Sequence, residues 1–86
     1  NFVNHCYDIA SEVLDRYGIP FSSMLPLIDE TARKVHSMSP KSAQTGPAIR
    51  YDENVIGMQS RMLAYDDRIR QIYDIMSKSI HERNEK

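Results

Sequence analysis

Residues 2–20, FVNHCYDIASEVLDRYGIP, contain the clearest local signal in this chain of 86 residues. Apolar side chains recur there every three to four positions, a spacing that gives a helix one wide apolar face and that strict strand alternation cannot produce. Gly18 can take the left-handed conformation after a last helical turn, and Pro20 disfavours helical geometry at Ile19. The segment therefore predicts a first helix that ends near Tyr17.

A second helix is predicted from Ser22 or Ser23 to about Met38. Serine hydroxyls can cap a first turn, and Pro26 falls where a missing N–H is harmless. The apolar positions of this helix step by three and four along a narrow seam, which suits packing against another helix. The seam consists of Met24, Ile28, Thr31, Val35 and Met38.

The connection from Ser39 to Tyr51 is long for a helical protein. It covers 13 residues, whereas helix connections in compact bundles take about 2–8. Residues 40–44 predict one short helical turn, which a Thr-Gly-Pro break at residues 45–47 ends. Because long ordered loops are often functional, we expect site residues in this segment.

Two further helices are predicted after the loop. Asp52 is a good N-cap for the third helix, and Asp66 or Asp67 can cap the fourth. The inward face of the fourth helix is predicted to consist of Ile69, Ile72, Tyr73, Met76 and Ile80. The tail from His81 to Lys86 has no apolar residue and is expected to fray. The prediction is an all-α fold with four main helices in a single domain, residues 1–86.

Composition excludes several classes of protein. With 11 Lys and Arg against 12 Asp and Glu, the net charge of −1 gives no bulk field for nucleic acid. Cys6 is the single cysteine and cannot form an intrachain disulfide, so we expect it to pack as a small apolar group. The longest apolar run, Met24 to Ile28, is far too short to cross a membrane. His5, His36 and His81 lack the spacing of metal ligands.

Several features favour a second subunit. A chain of this length hides only about 60–65% of its unfolded surface, which makes a monomer marginal. The third helix is apolar over more width than one neighbour can cover, at Val55, Ile56, Met58, Met62 and Leu63. The five methionines suit either a dimer surface or irregular core filling, and both interpretations remain open.

The loop, SPKSAQTGPAIRYD at residues 39–52, carries a family resemblance. Together with Gly-Ile-Pro at 18–20 and Leu-Pro-Leu-Ile at 25–28, it resembles the C-terminal helical domain named DUF2520, which occurs in Rossmann-containing proteins. In that family a short helix leads into Ala-x-Thr-Gly-Pro-x-x-Arg-Gly-Asp. Tyr51 replaces the glycine of this pattern, so the backbone at that position is less free. Residues 1–4 resemble the middle of the family's first helix.

The resemblance implies an N-terminal NADP-binding Rossmann domain that is absent from this sequence. Such a domain is similar to those of pyrroline-5-carboxylate reductase and the F420-dependent NADP reductases. The helical part would then have the fold of the 6-phosphogluconate dehydrogenase C-terminal domain, form a homodimer and supply one wall of a substrate cleft. By this resemblance we expect the dimerisation and substrate-cleft domain of a cytoplasmic NADP-dependent oxidoreductase, which is not catalytic alone and holds no cofactor itself.

Candidate substrate-binding residues lie mainly in the loop. Arg50 precedes a helix start, where its guanidinium and the first-turn amides could hold a carboxylate or phosphate. The alternative is an ion pair between Arg50 and Asp52 or Glu53. Thr45 and Gly46 could present a hydroxyl and a closely approachable backbone to a ligand, although a simple turn explains them too.

Asn1 is a candidate through the resemblance alone. Related reductases place polar residues of this helix near the nicotinamide, and the alternative is a frayed chain end. A rival function is a free-standing interaction module that binds a partner helix in a methionine-lined groove. A complete enzyme is disfavoured because no nucleophile stands beside a base, and no catalytic residue is predicted.

Overall fold

Every regular element in the computed structural model, which describes residues 1–84, is a helix. The helices are α1 Phe2–Arg16, α2 Leu25–Ser37, α3 Pro40–Ala43, α4 Glu53–Met62 and α5 Asp67–Asn84, with a 3₁₀ turn at Phe21–Met24 before α2. All of them except α3 have ten residues or more. This confirms the predicted all-α fold with four main helices. Contacts divide the chain into two units, Asn1–Ala43 and Gln44–Lys86.

The end of α1 is confirmed where the sequence predicts it. Gly18 adopts a φ of +68°. Its N–H donates to the carbonyl of Asp15 at 3.1 Å, and the N–H of Ile19 donates to the carbonyl of Leu14 at 3.0 Å. These two bonds form a Schellman motif, which satisfies carbonyl groups that the helix end would otherwise leave unpaired.

The start of α2 differs from the prediction. Ser23 lies in the 3₁₀ turn, where its N–H donates to the carbonyl of Pro20 at 3.0 Å. The helix itself begins at Leu25, with Met24 in the N-cap position and no capping bond from a side chain. Pro26 lies in the first turn and has no N–H. The helix start therefore has one unpaired backbone N–H fewer, which reduces the need for a capping serine.

The first unit buries little of its apolar surface. No residue of 1–43 is buried. The seam predicted on α2 is open toward its C-terminal end, where Val35 is 48% exposed, while Met24 and Ile28 are half-buried. The 3₁₀ turn contacts both α1 and α2, and the ring of Phe21 meets that of Tyr7 edge-on at 6.4 Å. Cys6 is exposed, so the expectation that it packs is wrong. Adjacent helical residues point about 100° apart, and Tyr7 is the one that meets the turn.

Asp52 caps α4 as predicted, and of the two candidates for α5 the cap is Asp66. The Oδ1 atom of Asp52 accepts from the N–H of Val55 at 3.3 Å at the start of α4. The Oδ1 atom of Asp66 accepts from the N–H groups of Arg68 at 3.0 Å and Ile69 at 3.1 Å at the start of α5. Each carboxylate thus satisfies amides that have no partner within the helix.

The contact between α4 and α5 combines polar and apolar side chains. Tyr73 donates its hydroxyl to Oε1 of Gln59, and Arg70 donates from Nε to the hydroxyl of Ser60 at 2.9 Å. Of the face predicted for α5, Ile69 is buried, but Met76 is 52% exposed. At 100° per residue Met76 lies only about 20° around the helix from Ile69, but about two turns further along, so burial changes along one face of α5.

The last helix is longer than the sequence suggests. It extends to Asn84, whose Nδ2 donates to the carbonyl of Ile80 at 2.8 Å. The expected fraying is therefore wrong for residues 81–84, while residues 85 and 86 lie outside the described range. Within that range, no helix combines the length and the apolarity needed to cross a membrane.

Candidate functional site

The loop between α3 and α4 contains three of the four predicted site residues. Thr45, Gly46 and Arg50 all lie in the second unit, and the side chains of Thr45 and Arg50 are exposed. Asn1 lies in the first unit, where its Oδ1 accepts from the N–H of Phe2 at 2.7 Å and caps α1. The candidate site is therefore the loop between α3 and α4.

A turn at residues 47–52 gives the loop its shape. The N–H of Asp52 donates to the carbonyl of Pro47 at 2.9 Å, and the N–H of Tyr51 donates to the carbonyl of Ala48 at 3.2 Å. Tyr51 has a φ of +53°, in the left-handed region. The pattern is that of a Schellman motif in which a tyrosine occupies the position that usually holds glycine. A glycine at this position of the family pattern would adopt the left-handed conformation without steric cost. Tyr51 adopts the same conformation although it carries a side chain.

Tyr51 stacks on a side chain from α5. Its ring and that of His81 are 4.0 Å apart between centroids, with 23° between their planes. The left-handed conformation costs a residue with a side chain about 1–2 kcal/mol. Aromatic pairs contribute about 0.5–1.5 kcal/mol beyond the area that they bury. The stack is therefore large enough to offset much of the backbone cost at Tyr51.

Arg50 is not tied down by the acidic residues that follow it. Within residues 1–84 its guanidinium makes no ion pair with Asp52 or Glu53. The carboxylate of Asp52 is engaged instead with the N–H of Val55. Asp52 and Glu53 lie at the N-terminus of α4, where their negative charges would repel an anion and Asp52 already occupies an amide. Arg50 is therefore a stronger anion-binding group than the helix amides.

Gly46 has a conformational reason to be glycine. Its φ is +108°, and a Cβ added to it would meet no atom within 4 Å. Glycine is therefore favoured at position 46 by the backbone conformation, since no neighbouring atom would clash with a side chain. This favours the simple-turn interpretation. The carbonyl of the preceding Thr45 accepts from Nε2 of Gln44 at 3.1 Å.

A cavity of about 490 Å³ opens beside the Tyr51–His81 stack. This volume lies in the range of small-molecule sites, roughly 300–1,000 Å³. The lining residues are Tyr51, Ile56, Asp74, Ser77, Lys78, His81 and Glu82. Sequence reasoning missed this feature because it assigned His81 and Glu82 to a fraying tail. The sequence does contain a signal for this face, because Asp74, Lys78 and Glu82 are spaced by four residues and so lie on one side of α5.

The described residues contain no group of three or more His, Cys, Asp or Glu side chains that could hold a metal ion. The loop presents a guanidinium, a hydroxyl and an aromatic stack, which are groups that can bind a ligand.

Comparison with known proteins identifies the family. Residues 1–80 match the model described as "Domain of unknown function (DUF2520)". Because this match covers most of the chain, the protein belongs to the DUF2520 family, and the predicted resemblance is confirmed at this level.

A solved structure is also closely similar. It is the crystal structure of a protein from Bacteroides fragilis described as a "putative NADP oxidoreductase", with 63% sequence identity and a TM-score of 0.93. The match covers 95% of this chain and 32% of that one, so this chain spans about a third of the bacterial protein's length. No curated protein matches the chain.

Proposed function

We propose that this chain is the dimerisation and substrate-cleft domain of an NADP-dependent oxidoreductase. The observation that carries the proposal is the match to the Bacteroides fragilis protein, at 63% identity over 95% of this chain. The remaining two thirds of that protein fall outside the match. In the proposal, those two thirds correspond to an N-terminal Rossmann domain that precedes the helical domain in the intact protein.

The coenzyme is assigned to that other domain. A dinucleotide fingerprint needs three glycines within one turn between a strand and a helix. The three glycines here, Gly18, Gly46 and Gly57, are far apart in the sequence. This chain therefore contains no glycine loop for NADP. On its own it should neither bind NADP nor catalyse hydride transfer.

The helical domain would contribute cleft residues. Arg50 is the proposed anion-binding group, because it is exposed and makes no ion pair within the described residues. Thr45 and Gly46 lie in the same loop and would present a hydroxyl and a backbone without a side chain to the substrate. Asn1 is proposed as a fourth cleft residue through the family resemblance. Its amide oxygen is used to cap α1, which leaves the amide N–H₂ to donate.

Dimerisation is supported by the exposed apolar side chains of both units. Phe2 is 82% exposed and Ile75 is 67% exposed, while Met58 and Met62 are 47% and 45% exposed on α4. Extensive apolar exposure of this kind is typical of surfaces that another chain or domain covers. The proposed partners are a second copy and the Rossmann domain. The finer relationship to pyrroline-5-carboxylate reductase and the F420-dependent NADP reductases, and a cytoplasmic location, belong to the same proposal.

Titration of the full-length protein with NADPH, followed by coenzyme fluorescence, tests the assignment of the coenzyme. We expect saturable binding to the full-length protein and none to residues 1–86 alone. Saturable binding to residues 1–86 would contradict the assignment. Light scattering of residues 1–86 should give about 20 kDa, twice the chain mass of 10.0 kDa. A mass of one chain would refute dimerisation through this domain.

The role of Arg50 needs a matched control. Arg50→Gln should weaken binding of an anionic substrate or product to the full-length protein about tenfold or more, since a charge-assisted hydrogen bond is worth about 1.5–3 kcal/mol. Arg68→Gln removes an exposed guanidinium from α5 and should change that affinity less than twofold. Equal effects of the two variants would show a general charge effect and refute a specific site at Arg50.

The rival function, a free-standing module that binds a partner helix in a methionine-lined groove, has one observation in its favour. Met58 and Met62 are exposed one turn apart on α4. The cavity, however, has no methionine in its lining. Sequencing the gene upstream of Asn1 separates the two functions. A glycine fingerprint there supports the oxidoreductase, and a start codon within a few residues supports the module.

A further inference from the structure

The chain contains two turns with the same hydrogen bonds but different left-handed residues. At residues 14–19 the left-handed residue is Gly18, and at residues 47–52 it is Tyr51. In each turn the left-handed residue donates to the carbonyl three positions earlier, and the next residue donates to the carbonyl five positions earlier. The first turn therefore serves as an internal reference for the second.

The two turns need different support. Glycine adopts positive φ without steric penalty, so the bonds of the first turn need no further help. Tyrosine does not, because its Cβ crowds the backbone in this conformation. The contact that distinguishes the second turn is the stack of Tyr51 on His81, at 4.0 Å and 23°. His81 comes from α5, which is distant in sequence from the turn that it supports.

We propose that His81 is a positioning residue, which holds Tyr51 in the left-handed conformation and thereby fixes the loop that carries Arg50. Arg50 directly precedes Tyr51, so a change of φ at Tyr51 alters the path of the chain at Arg50. The last turns of α5, which contact the loop through the ring of His81, thus control its geometry. This inference concerns how the loop is held. Only its consequence for an anionic ligand rests on the proposed function.

Hydrogen–deuterium exchange of the full-length protein tests the inference, with peptides that cover residues 48–53 and 15–20. In His81→Ala, we expect exchange at the Tyr51 and Asp52 amides to accelerate at least threefold. Exchange at the Gly18 and Ile19 amides should stay unchanged. His81→Phe retains a ring for stacking and should keep the slow exchange of the parent.

Glycine at position 51 provides the decisive comparison. Tyr51→Gly removes the need for support, so adding His81→Ala to it should leave the 48–53 peptide as protected as in Tyr51→Gly alone. Unchanged protection in His81→Ala would overturn the proposal. Faster exchange of both turns in His81→Ala would also overturn it, because the effect would then be a general loss of stability.

A second measurement separates this inference from the proposed function. Phenylglyoxal modifies exposed arginines, and inorganic phosphate should slow its reaction at Arg50 if that residue binds anions. Protection should be at least twofold weaker in His81→Ala and restored in His81→Phe. If phosphate gives no protection in the unaltered protein, Arg50 is not an anion site and the proposed function loses its binding residue. The exchange results then decide the role of His81 alone.

Discussion

Arg70 on α5 donates a hydrogen bond of 2.9 Å from its guanidinium Nε to the hydroxyl oxygen of Ser60 on α4. Ser60 is only 7% exposed, so water has little access to its hydroxyl. A hydrogen bond to a charged group is worth about 1.5–3 kcal/mol when its partner is protected from solvent. This pair therefore contributes to the register of α4 on α5 as well as to stability.

Replacing Ser60 with alanine should destabilise the protein. Ser60→Ala removes the acceptor of Arg70 and should lower the free energy of unfolding by about 1–2 kcal/mol. Urea denaturation followed by circular dichroism measures this change. Ser79→Ala, an exposed serine on α5, is the matched control and should shift stability by less than about 0.5 kcal/mol. Equal effects of the two variants would contradict a structural role for the bond.

The glycines at 18 and 57 should respond in opposite directions to alanine. Gly18→Ala should lower the free energy of unfolding by about 1 kcal/mol, because φ is +68° and the surrounding space is open, so the cost is purely conformational. Gly57→Ala should raise it by up to about 1 kcal/mol, because alanine favours the helix. The added Cβ would lie 3.3 Å from the end of the Arg61 side chain, which is exposed and can move. Thermal unfolding of both variants gives the comparison, and the same sign for both would refute it.

Removing the cap of α5 should be costly. Asp66 accepts from two backbone amides, and Asp66→Ala should lower the free energy of unfolding by about 1–2 kcal/mol. Asp66→Asn keeps an acceptor oxygen and should recover most of this loss. Asp8→Ala, at an exposed position inside α1, should have little effect. Urea denaturation distinguishes the three, and a full loss in Asp66→Asn would indicate that charge, rather than capping, is responsible.

The pH dependence of the first unit should include the ion pair between Glu30 and Arg33. The side-chain hydrogen bonds donated by Arg33 hold the pKa of Glu30 below its ordinary value of 4.5, and the charges of Arg33 and Lys34 add to the effect. Because the folded-state pKa is lowered, the pair stabilises the fold above the ordinary value, and this contribution disappears as the pH falls through the lowered one.

Carbon NMR of the Glu30 carboxyl group measures this pKa directly. Arg33→Gln should move the pKa of Glu30 up toward 4.5, and Lys34→Gln should move it less, because Lys34 acts through its charge alone. A larger effect of Lys34→Gln would show that charge outweighs hydrogen bonding at this pair. The pair is exposed, so Glu30→Gln should change stability near neutral pH only slightly.

Much of the fold could be predicted because its signals are local. The glycine after α1, the aspartates at positions 52 and 66, and the Thr-Gly-Pro break each act within one helical turn. The start of α2 was misplaced because Phe21–Met24 form a 3₁₀ turn, so the two serines lie within this turn and make no capping bond to α2. The exposure of Cys6 and Met76 was missed because periodicity identifies an apolar face without showing whether anything covers it.

The candidate site was predictable only in part. The loop and Arg50 follow from a long connection with a recognisable motif. The ring contact between Tyr51 and His81 links residues 30 positions apart, and no local pattern indicates it. The tail composition argued for a frayed end, whereas α5 continues to Asn84. A helix end with few apolar residues can still be ordered by contacts that its composition does not indicate, such as the ring contact of His81 and the side-chain bond of Asn84 to the backbone.

The open character of residues 1–43 has a consequence for mutational tolerance. Phe2 is 82% exposed and Leu27 is 58% exposed, so exchanging either residue for a polar one removes little packing within the first unit. A saturation-mutagenesis scan of the intact protein would then map the surface that a partner covers. Exposed positions that still reject polar residues would outline the surface that another molecule or domain covers on α1 and α2.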